Sequence, residues 1–511
     1  MAAGASLSEG EEGVVGGDGG GSNSETMRRD ASGTGLDAGG SAVAAGAGPS
    51  AGLPLSSSPP LAGEGAVHLA HLVLGVGSLT PFNALINAAV FFRARLGATP
   101  YAAAFGSAFP LAFTGSNVGA LALALVWRRK RRASGLARAS LRVDASLGVC
   151  ALVFCVLGIQ ALDPGATPAL VFWTTVGAAA VLGGCCAFFS AAVVGLASRF
   201  PGGTCTQAVM AGQGVAGLGI ALMALCSDAA SHASSGDGDV GYAQVRNGAL
   251  GYFAVTLCVV IACREAFRRM LATPYAKDVL GDSGEAAVEA PLLDSEAAVD
   301  VQEEGEEEEV EEEDDASGVT YRKLAWSIRW PEGAVFGVFA VTLAVFPATT
   351  ALVAPVPGTE GALARPGLFV NLGFVVFNAG DLLGRVLAKA DGVDWERAFG
   401  ERIRLAGYAA LRLPLVPLLA ACHVRCPGSP SASGGGFLAA SNAPFFVLLS
   451  VLGTSNGMLS SRAMMLGPGM AKRLWGGDHS KEKGGELMVL FLTLGLAAGS
   501  LVSFLVSAAV C

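Results

Sequence analysis

Residues 368–388 read LFVNLGFVVFNAGDLLGRVLA. Asp381 and Arg385 sit inside this otherwise apolar run, four residues apart, so on a helix they share one face and can pair. Each charge costs about 2.5–3.5 kcal/mol at the centre of a bilayer on insertion scales. An all-apolar span inserts more easily, so a span that keeps both charges is expected to use them. The expectation is a polar pathway through a membrane, with this pair on its wall.

Composition agrees. The chain has 511 residues, of which 52% are hydrophobic and 15% charged, and its mean hydropathy is +0.53. Those values belong to a polytopic membrane protein. The net charge of −9 comes mostly from one acidic run, Glu303 to Asp315. It therefore implies neither a basic partner nor nucleic-acid binding. Most cysteines, the adjacent Cys185 and Cys186 among them, lie in apolar runs and read as small apolar residues. Only Cys422, Cys426 and Cys511 fall where an oxidising face is within reach. No zinc spacing and no disulfide framework appears, and no metal or cofactor is expected.

Eleven segments are long enough to span hydrocarbon: 67–92, 101–127, 144–162, 168–198, 206–227, 248–264, 333–354, 367–388, 403–422, 437–461 and 486–509. The fourth has length for a tilt or for two pieces. With the N-terminus cytosolic, inside loops hold 23 lysines and arginines against 5 outside. The positive-inside rule then places the N-terminus in the cytosol and Cys511 outside.

The expected organisation follows. Residues 1–66 form a disordered cytosolic tail without the apolar core of a signal peptide. A six-helix bundle covers 67–268, an acidic disordered cytosolic loop 269–331, and a five-helix bundle 332–511. The loop ends in Tyr321-Arg-Lys-Leu-Ala-Trp-Ser-Ile-Arg-Trp330, a mixture suited to the headgroup level. The fold class is thus an all-α polytopic membrane protein with about eleven transmembrane helices. Its six-plus-five bundles resemble the major facilitator architecture and would rock about a midplane site.

Polar and helix-breaking clusters mark several spans. Span one has Gly75-Val-Gly-Ser-Leu-Thr-Pro-Phe-Asn83, where Pro81 frees a carbonyl and Asn83 can face a cavity. Span five has small residues at Gly212, Ala216 and Gly217 for close helix contact, with Gln213 able to bond across it. Span seven has Thr342-Leu-Ala-Val-Phe-Pro347, and span ten Ser455-Asn-Gly457 followed by Gly467-Pro468. Gly195-Leu-Ala-Ser-Arg-Phe-Pro201 joins spans four and five, and Arg412 with Pro417 marks span nine.

Taken in order, these segments resemble the equilibrative nucleoside transporter family. Phe377-Asn-Ala-Gly-Asp-Leu-Leu-Gly-Arg385 is similar to that family's eighth-helix pattern Phe-Asn-x-x-Asp-x-x-Gly-Arg. The likeness runs from about residue 67 to the end, the central loop excepted. It implies eleven helices, alternating access, and a nucleoside or nucleobase substrate bound by Asp381 and Arg385. It also implies that Phe82, Asn83 and Ile86 of span one face the cavity. A carboxylate and a guanidinium fork match a ribose diol and a base edge, and an aromatic ring can stack on the base. Two positions depart from the family. Phe82 stands where tryptophan is usual, and Ser190 stands where many members carry a base-reading glutamine. Ser190 therefore leaves purine, pyrimidine and nucleobase preference open.

Plainer roles compete at each position. Asp381 and Arg385 also suit a structural or gating pair, and Phe82 suits packing. Gln213, Asn378, Asn456 and Arg412 are expected to be structural, and His68 and His71 to be solvated at the mouth of span one. No phosphate-loop sequence for ATP use occurs, so transport is passive or ion-coupled. A carboxylate already neutralised by a guanidinium suits facilitated diffusion better than proton carriage. A proton-coupled symporter and a transport-dead receptor or scaffold are the alternatives. An enzyme is not expected, because the five histidines are scattered over loops and span ends. The expected partners are the bilayer and the substrate, with protons only in the symporter reading and no nucleic acid. The plasma membrane is the expected site, a vacuolar or other endomembrane the alternative.

Overall fold

The computed structural model describes residues 63–97, 99–127, 135–235, 242–281, 320–389, 402–426 and 437–511. Nearly all of the expected tail, and the acidic run of the expected loop, lie outside the described residues. Six long helices come first: α1 (Glu64–Leu96), α2 (Pro100–Trp127), α3 (Gly135–Leu162), α4 (Pro168–Arg199), α5 (Thr204–Ser235) and α6 (Tyr242–Ala272). Two short ones follow, α7 (Pro274–Gly281) and α8 (Tyr321–Ser327). The remainder are α9 (Arg329–Val345), α10 (Pro366–Leu387), α11 (Arg402–Ala410), α12 (Leu415–Ala420), α13 (Ala443–Trp475) and α14 (Gly477–Val510).

Nine of the described helices are long and apolar enough to cross a membrane. The expected second span is α2, whose apolar stretch is shorter, Ala108–Ala124. The expected ninth span is broken into α11 and α12, because Pro414 and Pro417 withhold the backbone donors that an unbroken helix needs. The fourth span, by contrast, is one continuous helix of 32 residues. Span seven stops at Val345, just before Phe346-Pro347, and span ten runs on past Pro468 to Trp475.

Large apolar side chains cover the outer faces: Leu141 is 70% exposed, Ile261 69% and Leu505 72%. Such patches are costly in water and match hydrocarbon. Inside, α1 packs on α4, α5 and α6, while α2 and α3 pack on α4. In the second half α9 packs on α14, α13 and α11, and α10 packs on α13. Contacts of α5 with α10, and of α14 with α4 and α2, join the two groups. Helices approach closely where glycines face one another. A Cβ on Gly212 would meet the backbone of Leu72 and Gly75, and one on Gly457 the backbone of Asp381 and Arg385.

Two expectations need correction. His71 is not solvated: it is wholly buried, its Nδ1 lies 2.8 Å from the Val67 carbonyl, and its ring meets Phe200 edge-on. Phe200 in the α4–α5 turn folds over the ring and excludes water. The cysteines also hold one bridge, between Cys426 and Cys511, with Cα atoms 5.4 Å apart. An isolated pair 85 residues apart makes no spacing pattern. The Val353–Val424 bridge, just before Cys426, pairs the chain after α9 with the chain after α12.

Candidate functional site

The geometry centres on the quoted stretch, which forms α10. Asp381 and Arg385 pair one turn apart, Nε to Oδ2 at 2.6 Å, and are only 5% and 4% exposed. Burial at this depth demands that their remaining polar atoms be satisfied. On one side, Asn456 of α13 donates to Asp381 Oδ1 at 2.7 Å. Thr342 of α9 donates to Asn456 Oδ1 at 2.7 Å. Arg412, in the break between α11 and α12, donates to Thr342 Oγ1 at 2.8 Å. On the other side, Arg385 Nη1 donates to the Met210 carbonyl at 2.9 Å and to Gln213 Oε1 at 3.2 Å, both on α5. Gln213 in turn donates to Ser78 of α1 at 3.1 Å, and Gln207 donates to the Arg385 carbonyl at 3.2 Å.

One continuous hydrogen-bonded path thus runs from Arg412 to Ser78, through both halves of the chain. Gln213, Asn456 and Arg412, expected as structural, belong to this path. Asn456 had one sequence signal, its place in the polar cluster Thr454-Ser-Asn-Gly457. Thr342 had one as well, its place at the head of Thr342-Leu-Ala-Val-Phe-Pro347 in span seven. Gly217 lets α10 come close, so that Asn378 fills the space a side chain there would take.

Beyond Ser78, the first-helix residues are not part of this path. Ser78, Phe82 and Ile86 follow at intervals of four, down one face of α1. Phe82 is half-buried, with its ring centroid 4.4 Å from that of Phe113 on α2. Asn83, Ile86 and Ser190 are also half-buried. No hydrogen bond among the described residues joins Phe82, Asn83, Ile86 or Ser190 to Asp381 or Arg385. Among the described residues no cluster of histidine, cysteine and acidic side chains could hold a metal.

A second set of contacts closes the end of the molecule where α4 turns into α5. Arg142 of α3 pairs with Glu486 of α14 at 3.2 Å, and Tyr321 of α8 donates to the same carboxylate at 3.0 Å. Lys481 of α14 donates to the Phe200 carbonyl at 2.8 Å, and Ser198 donates to the Lys481 carbonyl at 3.1 Å. Beside them α8 buries Leu324, as the chain just after it buries Ile328, and exposes Trp326, with Arg329 over its ring at 4.6 Å.

A family model described as nucleoside transporter matches residues 176–508, more than half of the chain. The chain belongs to the nucleoside transporter family. It is similar to mouse equilibrative nucleoside transporter 2, 28% identical over 475 residues that cover 86% of this chain and 97% of that protein. The human protein of the same name is also 28% identical, over 473 residues, with the same coverage. An equilibrative nucleotide transporter 8 of Arabidopsis thaliana is 24% identical over 443 residues, covering 86% of this chain and 94% of its own. Among solved structures, the E. coli fucose–proton symporter aligns over 87% of this chain and 96% of its own, at 12% identity and a TM-score of 0.48. This nucleoside transporter is an integral, multi-pass membrane protein and a carrier rather than an enzyme.

Proposed function

We propose that the chain carries nucleosides by alternating access, that Asp381 and Arg385 bind the substrate, and that transport is facilitated diffusion. The observation that carries this is the placement of the pair. Arg385 belongs to α10 but spends its guanidinium on α5 of the other half. A ribose diol offers both donors and acceptors, so it can replace Gln213 and Asn456 on the two charges. Binding then loosens the contact between the halves at the point where they must part. The expected six-helix and five-helix groups, 67–268 and 332–511, are the bodies that would move.

Loop charges and the Cys426–Cys511 bridge support one orientation, since disulfides persist in oxidising compartments. The N-terminus is then cytosolic, and the Arg142–Glu486 and Lys481–Phe200 contacts close the cytosolic end. The plasma membrane is the proposed location. Ser190 in place of an amide side chain points to weak discrimination at the base, so nucleobases belong in the assay.

The test is uptake of labelled adenosine, uridine and hypoxanthine by cells lacking their own carriers. Asp381→Ala is expected to abolish saturable uptake while the amount of protein at the surface stays unchanged. Uptake equal to wild type would remove the pair from the substrate path.

A further inference from the structure

A cavity of about 450 Å³ opens between the broken ninth span and α13. That volume lies within the range of small-molecule sites. Its rim is apolar and faces outward: Tyr408, Leu411 and Val451 are 40%, 72% and 48% exposed. One wall is α13, a helix long and apolar enough to cross a membrane, and the exposed rim is apolar, which suits hydrocarbon better than water. Its floor is polar, formed by Arg412 and Ser455. The cause of the crevice is local. Where Pro414 interrupts the helix, the backbone tightens over residues 409–415.

Arg412 is the unusual element. It is 3% exposed, near the middle of its span. Its Nε donates to Ser455 Oγ at 3.0 Å and its Nη1 to the Val338 carbonyl at 2.6 Å. Its Nη2 donates to Thr342 Oγ1 at 2.8 Å and the Leu452 carbonyl at 3.0 Å. All four acceptors are neutral, and a guanidinium has a fifth N–H to give. Among the described residues no carboxylate pairs with it. Asp381, the nearest acid along the path, is already held by Arg385. Glu332, the buried acid of α9, lies six residues before Val338, about 9 Å along the helix. The buried path therefore holds two guanidinium cations against one carboxylate. Asp381 acts on Arg412 as well but is shared with Arg385, so the buried cation lacks a full counter-charge, which is costly and which a neutral nucleoside does not supply.

We propose that this crevice is a binding site for a long-chain carboxylate drawn from the bilayer. The carboxylate accepts from Arg412 and the acyl chain lies between Leu411, Val451 and Met458, open to lipid. The excess cation on the floor argues for an anion, and the lipid-facing rim argues for a ligand that arrives with a hydrocarbon chain. Arg412 also holds Thr342, which holds Asn456 against Asp381, so occupancy at the crevice is felt at the ion pair.

The test uses the purified full chain in phosphatidylcholine nanodiscs and a palmitate carrying a mid-chain diazirine. After irradiation, labelled peptides are mapped by mass spectrometry. Labelling is expected on the segments around Leu411 and Val451. Unlabelled palmitate should compete about tenfold better than 1-hexadecanol, which has the chain without the charge. Val451→Trp fills the rim without touching Arg412 and should suppress labelling. Labelling that Val451→Trp leaves unchanged, labelling confined to other segments, or equal competition by 1-hexadecanol would each overturn the proposal.

Discussion

Asn456 sits where two demands meet, since its oxygen accepts from Thr342 while its nitrogen donates to Asp381. Asn456→Ala removes a hydrogen bond to a charged group, worth about 1.5–3 kcal/mol, and so should lower the uptake ratio kcat/KM by about ten- to a hundredfold. Wild-type kinetics in that variant would make Asn456 a packing residue only. Phe82→Trp keeps an aromatic ring beside Phe113 and adds an indole donor. The expected outcome is a changed ratio of adenosine to uridine uptake with little loss of folded protein. Identical selectivity would place Phe82 outside the cavity. At this scale the sequence betrays Asp381 and Arg385, because charge is conspicuous in an apolar run. It hides Thr342 and Asn456, because uncharged polar side chains are ordinary in membrane helices and their meaning lies in a partner 75 or 114 residues away. His71 is hidden for a related reason. Its position at a helix mouth says water, and only the turn carrying Phe200 removes it.

Between α10 and α13 the contact is backbone on backbone. Gly457 lies against the carbonyl of Asp381, so a methyl group there forces the helix carrying the ion pair away. Gly457→Ala should cost about 1–3 kcal/mol and lower the melting temperature and the folded yield together. Gly469→Ala on the same helix meets nothing within 4 Å and is the matched control. Equal melting temperatures in the two variants would contradict the close approach. Hydrophobic length made most helices legible, since about 20 apolar residues are needed to cross a bilayer. It failed at the ninth span, where two prolines within four residues break a segment that still counts as apolar. It also misplaced the ends of α1, α13 and α14, because these helices continue past the hydrocarbon on polar residues such as Lys472 and Glu482.

Among the described residues, polar side chains tie the halves together at the Arg385–α5 contact and at the Arg142–Glu486 end. Alternating access requires both to open within one cycle, and the residues that make these contacts all lie outside the acidic stretch of the central loop in the sequence. Deleting Ser283–Ala316 should therefore leave uptake within about twofold of wild type, a change below 0.5 kcal/mol. Loss of folded protein would show that the loop supports the bundles. The loop charges favour one orientation from the sequence alone, but the path joining the halves required side chains from six spans to be placed together. The most direct test of the account is the final distribution of labelled adenosine across proteoliposomes containing the purified chain, with and without an imposed proton gradient. The predicted result is saturable entry that stops when inside and outside concentrations are equal, indifferent to the gradient and absent in Asp381→Ala. Accumulation above the outside concentration under a gradient, or equal entry through Asp381→Ala, would contradict it.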